Sequence, residues 1–405
     1  MLKRFFKESL IYGLSTYIQK FIGVFLLPLY TALLTPEDYG ILDLLGTVAI
    51  ISIYLVVSGT DSSLSYYFFR KEHTEDRPVM VSSTLIIRLT FASAAFIIVG
   101  LLSHKLTFLI FGKDYSLFLI LTGISLAVQS IYSFFTDLIR FEKRPWVFTF
   151  VSVSNLLINI GLNIYFILIL KKGVWGAIMA SVISYGLMSG FTIFYVFKRY
   201  GFHFSGRWAK KILAYGSPLI GTAFAVWILT TTDRYFLAHY RNIADIGIYA
   251  VGFKLASFLG LVSGALQMAW APYAMDIQYE PNAKKIYAKV FFIYFVVNIL
   301  AVFFISMFSI DLLKVFTQPA YYSAKAVVFF SGYFIVSIGI AITKKAQHTI
   351  WITLTAAAVN IIMNFLLTPA IGAVGAALSI MTANFLIFLL TLSVSQKLYP
   401  VDYGY

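Results

Sequence analysis

Runs of about twenty apolar residues recur along the whole chain, separated by short polar loops. At 1.5 Å per residue each such run is long enough, as a helix, to cross the roughly 30 Å hydrocarbon layer of a bilayer. In lipid every backbone polar group must find its partner within the protein, so a repeated run of this length reads as a spanning helix. The periodicity predicts twelve of them, at about 9–33, 40–66, 79–103, 115–138, 146–170, 174–197, 211–238, 245–269, 286–310, 322–343, 348–367 and 372–396. The expected fold class is an all-α integral membrane protein.

Composition agrees. Of 405 residues 60% are hydrophobic and only 12% charged, about half the charged fraction of a soluble domain. Aromatics reach 18%, many of them where a run meets its loop, as an interfacial aromatic belt requires. There is no Cys, which excludes disulfides, thiol catalysis and iron-sulfur clusters. The segment Met1–Lys7 is short and basic and leads into an apolar stretch without a small-residue cleavage motif, so the first helix is expected to stay uncleaved.

A net charge of +14 would fit nucleic acid, but the cations lie in short loops between apolar runs, and topology explains them better. With both termini on one side, twenty loop Lys and Arg fall on that side, in the N-terminal segment, the loops near 70–77, 140–144, 198–211, 284–289 and 344–345, and at Lys397. Seven fall on the other. The positive-inside bias then puts both termini in the cytoplasm.

The second half of the chain echoes the first at an offset of about 200 residues. Asn159 and Asn163 precede Gly173-Val174-Trp175-Gly176-Ala177, and Asn360 and Asn364 precede Gly372-Ala373-Val374-Gly375-Ala376. Tyr12-Gly13 and Tyr215-Gly216 open corresponding helices, as do Asp38-Tyr39-Gly40 and Asp245-Ile246-Gly247. An even number of helices per half keeps the halves in one orientation, related by an axis along the membrane normal. Two six-helix lobes follow, residues 1–200 and 201–405, divided at the basic loop from Lys198 to Lys211.

The five His are scattered, and no metalloprotease helix, phosphate loop or nucleophile elbow occurs in a credible context. The chain therefore reads as a non-enzyme. What it offers instead is ionisable groups inside spanning helices, which are expensive and normally face a bundle interior or a wet cavity. Lys20 lies about 18 Å from either end of its helix, too far for a stem of ~6 Å to snorkel. Lys254, about ten residues into its own helix, poses the same problem. Each either lines a cavity or locks two helices through an acid. Arg88 either snorkels or joins them. Asp233 and Arg234 are neighbours about 100° apart on one helix, so both cannot face one cavity squarely. Asp43, Asp61 and Asp137 fall near helix ends, as interfacial carboxylates. Asn360 with Asn364, four apart, share a face and serve either as interhelical glue or as oxygen ligands of a cation. Gly186 with Gly190, and Gly260 with Gly264, are spaced for close helix packing. Pro28 and Pro218, inside helices, are candidate hinges.

With its paired lobes, opening Tyr-Gly helix, mid-membrane cation and the run Asp245-Ile246-Gly247-Ile248-Tyr249-Ala250-Val251-Gly252-Phe253-Lys254 after an Asp-Arg helix, the chain resembles the multidrug/oligosaccharidyl-lipid/polysaccharide (MOP) exporter superfamily, and within it the Wzx-type polysaccharide flippases. The resemblance implies a V-shaped pair of lobes around a central cavity that opens alternately to each side. The cargo it implies is a polyprenyl-diphosphate-linked oligosaccharide, moved from the cytoplasmic to the outer leaflet of a bacterial cytoplasmic membrane. Lys20, Lys254, Arg88 and Arg234 would be cavity cations. Asp233, Asn360 and Asn364 correspond to positions where some relatives bind sodium, so the coupling ion would be Na+ or H+, with no resident cofactor. Partners would be the lipid-linked glycan, the bilayer and the polysaccharide polymerase machinery, with no nucleic acid, and the chain would act as a monomer. The lipid II flippases of the superfamily carry further arginines in helices 1 and 2, and fourteen helices, which this chain lacks; that points away from lipid II. The same superfamily includes cation-coupled multidrug antiporters, but a cationic drug wants a cavity of carboxylates and aromatics, whereas here mid-membrane cations outnumber acids. A membrane-embedded glycosyltransferase would need catalytic acids and a large outer loop.

Overall fold

The structure, a computed structural model, describes residues 26–257, 270, 273–274, 277–331, 347–398 and 400–401. Among these residues there is no strand. The helices are α1 (26–33), α2 (Pro36–Val57), α3 (Thr60–Phe68), α4 (Arg77–Phe111), α5 (Ser116–Phe141), α6 (Pro145–Asn163), α7 (Gly173–Tyr200), α8 (Gly206–Tyr240), α9 (Ile243–Ala256), α10 (Ala283–Met307), α11 (Ser309–Phe316), α12 (Lys325–Ser331), α13 (Gln347–Ile371) and α14 (Ala373–Leu398). Nine helical runs among the described residues are long and apolar enough to span, counting α2 and α3 as one. They fall on nine of the twelve expected segments. The other three, at 9–33, 245–269 and 322–343, lie wholly or partly outside the described residues. The chain is an all-α, multi-pass membrane protein.

Helix contacts divide the chain into two units: residues 1–29 with 41–224, and residues 30–40 with 225–405. The sequence expectation divided the lobes at 200/201. The contacts assign the start of α8 to the first unit and the turn into α2 to the second.

In the first unit α3, α4, α5, α7 and α8 bury a core of Leu64, Phe68, Met80, Val81, Leu85, Ile131, Phe134, Leu138, Val196 and Trp208. Helix α2 does not run unbroken into α3: Ser58 and Gly59 take positive φ, 47° and 65°. A broken helix in lipid strands carbonyls, and local hydroxyls answer them. Ser58 donates to Leu55 O, Thr60 to Val57 O at 2.7 Å and Ser63 to Gly59 O at 3.0 Å. Gly59 is also where α8 comes closest, since a Cβ there would stand 2.4 Å from Gly216 O.

In the second unit the turn Thr35–Gly40 crosses the start of α9. Both turns are capped alike: Thr35 Oγ1 accepts from Asp38 N at 3.1 Å, and Asn242 Oδ1 accepts from Asp245 N at 2.8 Å. A Cβ on Gly40 would meet Ile243 O at 2.1 Å, and one on Gly247 would meet Pro36 O at 1.9 Å. The contact is reciprocal: the glycine of each turn meets a carbonyl of the other. Leu34 O accepts from Tyr321 Oη at 2.9 Å, and Phe316 O accepts from Thr31 Oγ1 at 3.2 Å, which ties this turn into the second unit.

Of the glycines expected to pack helices closely, the two among the described residues meet no neighbour. Gly186 and Gly190 would place a Cβ in open space, because spacing alone does not say which face meets a neighbour. Gly260 and Gly264 lie outside the described residues.

Candidate functional site

Each unit carries its own buried polar residues, and each is described by itself. In the first, α6 and α7 hold Asn163 Nδ2 against Asn159 O at 2.8 Å and Asn159 Oδ1 at 3.0 Å, and Asn159 Nδ2 donates to Ser184 Oγ at 3.0 Å. In the second, α13 repeats the pattern: Asn364 Nδ2 donates to Asn360 O at 3.0 Å and Asn360 Oδ1 at 3.2 Å. Thr368 Oγ1 donates to Asn364 Oδ1 at 2.9 Å. The equivalence fails at one atom. Eight residues on from Gly176 stands Ser184, but eight on from Gly375 stands Ala383, and Asn360 Nδ2 is buried without a partner.

Asp233 and Arg234 on α8 are both buried. Their Cα directions diverge, yet the long Arg side chain curls back: Nη1 lies 3.0 and 3.1 Å from the Asp233 oxygens and 2.8 Å from Thr230 O. Tyr249 Oη also donates to Asp233 Oδ2, and the guanidinium rests over the rings of Tyr249 at 4.9 Å and Phe253 at 4.7 Å. Arg234, expected among the cavity cations, closes a buried ion pair with its neighbour on α8, packed against Tyr249 and Phe253 of α9. Leu229 shares a buried cluster with Ala356, Ala357 and Ala383, and Arg241 Nη2 reaches Pro369 O at 2.9 Å and Ala370 O at 3.0 Å. These contacts bring α8 and the turn after it against α13 and α14.

Lys254 sits about 16 Å along α9 from Ile243 at the helical rise. It is half-buried, with Nζ 3.5 Å from Tyr39 Oη and 6.0 Å from the Tyr30 ring centroid. Tyr39 packs edge-on against Tyr30 and Tyr321, so the ammonium stands beside a tyrosine cluster. Lys20, its expected companion, lies outside the described residues.

Arg88 on α4 does not snorkel and does not line an opening. It is fully buried, donating from Nε to Thr60 Oγ1 at 2.9 Å and from Nη1 to Ser130 O at 3.1 Å and Ser133 Oγ at 3.3 Å. Its Nη2 has no hydrogen-bond partner.

In front of Arg88 opens a cleft that sequence reasoning missed. It holds about 480 Å³ and is lined by Asp61, Ser62, Ser65, Tyr66, Asp137, Arg140, Phe141 and Tyr215. The sequence signal was faint: two carboxylates at helix ends, each explicable alone as interfacial. Among the described residues no group of three or more His, Asp or Glu could hold a metal ion.

Fold and polar interior together define a class: an all-α membrane protein with the fold seen in transporters of the MOP superfamily. A multidrug resistance MATE family transporter, in an inward-facing conformation, superposes with a TM-score of 0.70 at 15% identity, over 96% of this chain and 95% of that one. The lipid II flippase MurJ, inward closed, superposes with a TM-score of 0.72 at 14% identity, over 95% and 87%. A MOP superfamily transporter from Pyrococcus furiosus, described as having a binding pocket of reversed polarity, gives 0.60 at 17% identity, over 98% and 96%. The chain belongs to the polysaccharide biosynthesis protein family, whose sequence pattern matches residues 5–278. A Lsg locus protein of Haemophilus influenzae is 22% identical over 280 residues, 66% of this chain and 65% of that protein, so the match spans a little under two thirds of the relative's length.

Proposed function

We propose that this protein is a flippase that carries polyprenyl-diphosphate-linked oligosaccharide repeat units from the cytoplasmic to the outer leaflet of a bacterial cytoplasmic membrane, by alternating access between two lobes and without covalent chemistry. The observation that carries the reading is a polysaccharide-biosynthesis sequence built on a MOP transporter fold. A solved protein of that fold is a lipid II flippase.

Physics supports the cargo. A diphosphate bears about two negative charges, and moving it unaided through hydrocarbon would cost well over ten kcal/mol. A cationic, wet path lowers that cost. Lys254, half-buried and about 16 Å into its helix, supports an anionic headgroup better than a cationic drug. As a lysine it offers a point charge that can grip and release, unlike a bidentate Arg clamp. Lys20 is proposed as its counterpart.

Asp233, Asn360 and Asn364 are our candidates for coupling to a sodium or proton gradient. Their oxygens are engaged by Arg234, Tyr249, Asn364 and Thr368, so a sodium ion bound there would have to replace several of these partners.

The test is export of the surface polysaccharide in cells lacking the native gene. Lys254→Ala and Lys20→Ala should each abolish export at a near-normal membrane level, and Lys254→Arg should retain more activity than Lys254→Gln. Full complementation by both alanine variants would remove the cationic path.

A further inference from the structure

The cleft of the first unit is unlike the apolar surface around it. Asp61 makes no hydrogen bond or ion pair with another described residue, and neither do the hydroxyls of Ser62 and Ser65. By contrast, Ser52, Ser63 and Ser82 return their hydroxyls to carbonyls of the preceding turn. Asp137 is bound on one oxygen by Arg140, which leaves the other to accept. The charges balance: Asp61 and Asp137 face Arg140 in the lining and the electrostatic reach of the buried Arg88 behind it. Arg88 is anchored by Thr60, next in sequence to Asp61, and by Ser133, one turn before Asp137.

Beside these groups stand two tyrosines. Tyr66 and Tyr215 stack at 4.6 Å with an interplanar angle of 20°. Arg70 covers Tyr66 at 4.2 Å from its centroid and Tyr67 meets Tyr215 at a steep angle at 6.0 Å, while Tyr215 stays 40% exposed at the cleft wall. A cleft with a flat aromatic face, hydroxyls and carboxylate oxygens without intramolecular partners, and no net charge does not suit a phosphate or an organic cation. It suits a neutral, polyhydroxylated ring: apolar C–H faces lie against the aromatic, and hydroxyls donate to carboxylates in charge-assisted bonds. The volume of about 480 Å³ lies in the range of small-ligand sites.

We propose that this cleft is a carbohydrate subsite that recognises the glycan of the cargo, with Tyr215 as its stacking platform and Asp61, Ser62, Ser65 and Asp137 as its hydroxyl partners. The inference rests on the flippase reading and assigns the sugar to residues separate from the proposed diphosphate cations. The cleft lies at the end of the unit bearing the basic loops 70–77 and 142–144, the side on which the cargo would load.

The experiment uses the full chain in lipid nanodiscs and three probes: the host's lipid-linked oligosaccharide, the sugar-free polyprenyl diphosphate, and tetraphenylphosphonium. Wild type should bind the glycan-bearing lipid more tightly than the sugar-free one. Asp61→Asn and Tyr215→Ala should each reduce that preference about tenfold while leaving the sugar-free Kd unchanged, which also shows that the variants are folded. An unaltered preference in both variants overturns the subsite and leaves the flippase standing. Failure of wild type to bind either lipid overturns the flippase reading and the subsite with it. Tetraphenylphosphonium bound by wild type and lost in both variants, with lipid preference intact, makes the cleft an organic-cation site instead.

Discussion

Arg88 is a charge held at full burial by neutral partners, two hydroxyls and a carbonyl, with no carboxylate within ion-pair distance among the described residues. Removing it strands those partners at the junction of α3, α4 and α5. Arg88→Ala should therefore cost about 3 kcal/mol through the stranded polar groups, read as a lower unfolding midpoint of the solubilised protein, and Arg88→Lys should recover only part because it lacks the planar fork. A loss of export with an unchanged midpoint would return Arg88 to a transport role. The Asn pairs make a second test. Ser184→Ala should cost about 1 kcal/mol by orphaning Asn159 Nδ2, whereas Ala383→Ser should be neutral or stabilising, since it supplies the hydroxyl that Asn360 lacks. A calorimetric or fluorescence melt of each variant decides it. Asp233 and Arg234 carry the residue-scale lesson: sequence gave their divergence on the helix but not that a flexible side chain would curl back across it.

Among the elements, the crossing of the turn before α2 with the start of α9 is the tightest backbone approach described. Gly40→Ala and Gly247→Ala would each drive a methyl group against a carbonyl oxygen, at 2.1 and 1.9 Å before relaxation. Both should sharply reduce the amount of folded protein, because rigid helix starts must separate. Gly186→Ala and Gly190→Ala, with nothing within 4 Å, should be tolerated and slightly favour the helix. Membrane-fraction immunoblots and size-exclusion profiles measure both outcomes. The Asp-x-Gly echo was visible in sequence, and its reciprocal contact is what that echo encodes. The break at Ser58-Gly59 was not visible, since an apolar run reads as one helix whether or not a neighbouring backbone forces it open.

At the scale of the molecule, loop charge sets a topology that the natural absence of Cys makes simple to test. With a membrane-impermeant maleimide on intact cells, Lys113→Cys should label, and Glu75→Cys should label only after permeabilisation. The reverse pattern would invert the assignment and place the carbohydrate cleft on the outer side. The two contact-defined units divide the chain near, but not at, the basic loop that marked the boundary in sequence.

What the sequence carried by itself was what a bilayer demands locally: spanning length from apolar runs, an expected orientation from loop cations, and an expected internal duplication from repeated Asn and Gly spacings. These depend only on near neighbours along the chain. Tertiary structure decided which buried charges were spent on one another, as Asp233 is on Arg234, and which glycines touch backbone. It also decided that Asp61, Asp137 and Tyr215, far apart in sequence, share one cleft. Helix periodicity gives the face a residue occupies, but the neighbour that meets that face is fixed only when the helices pack.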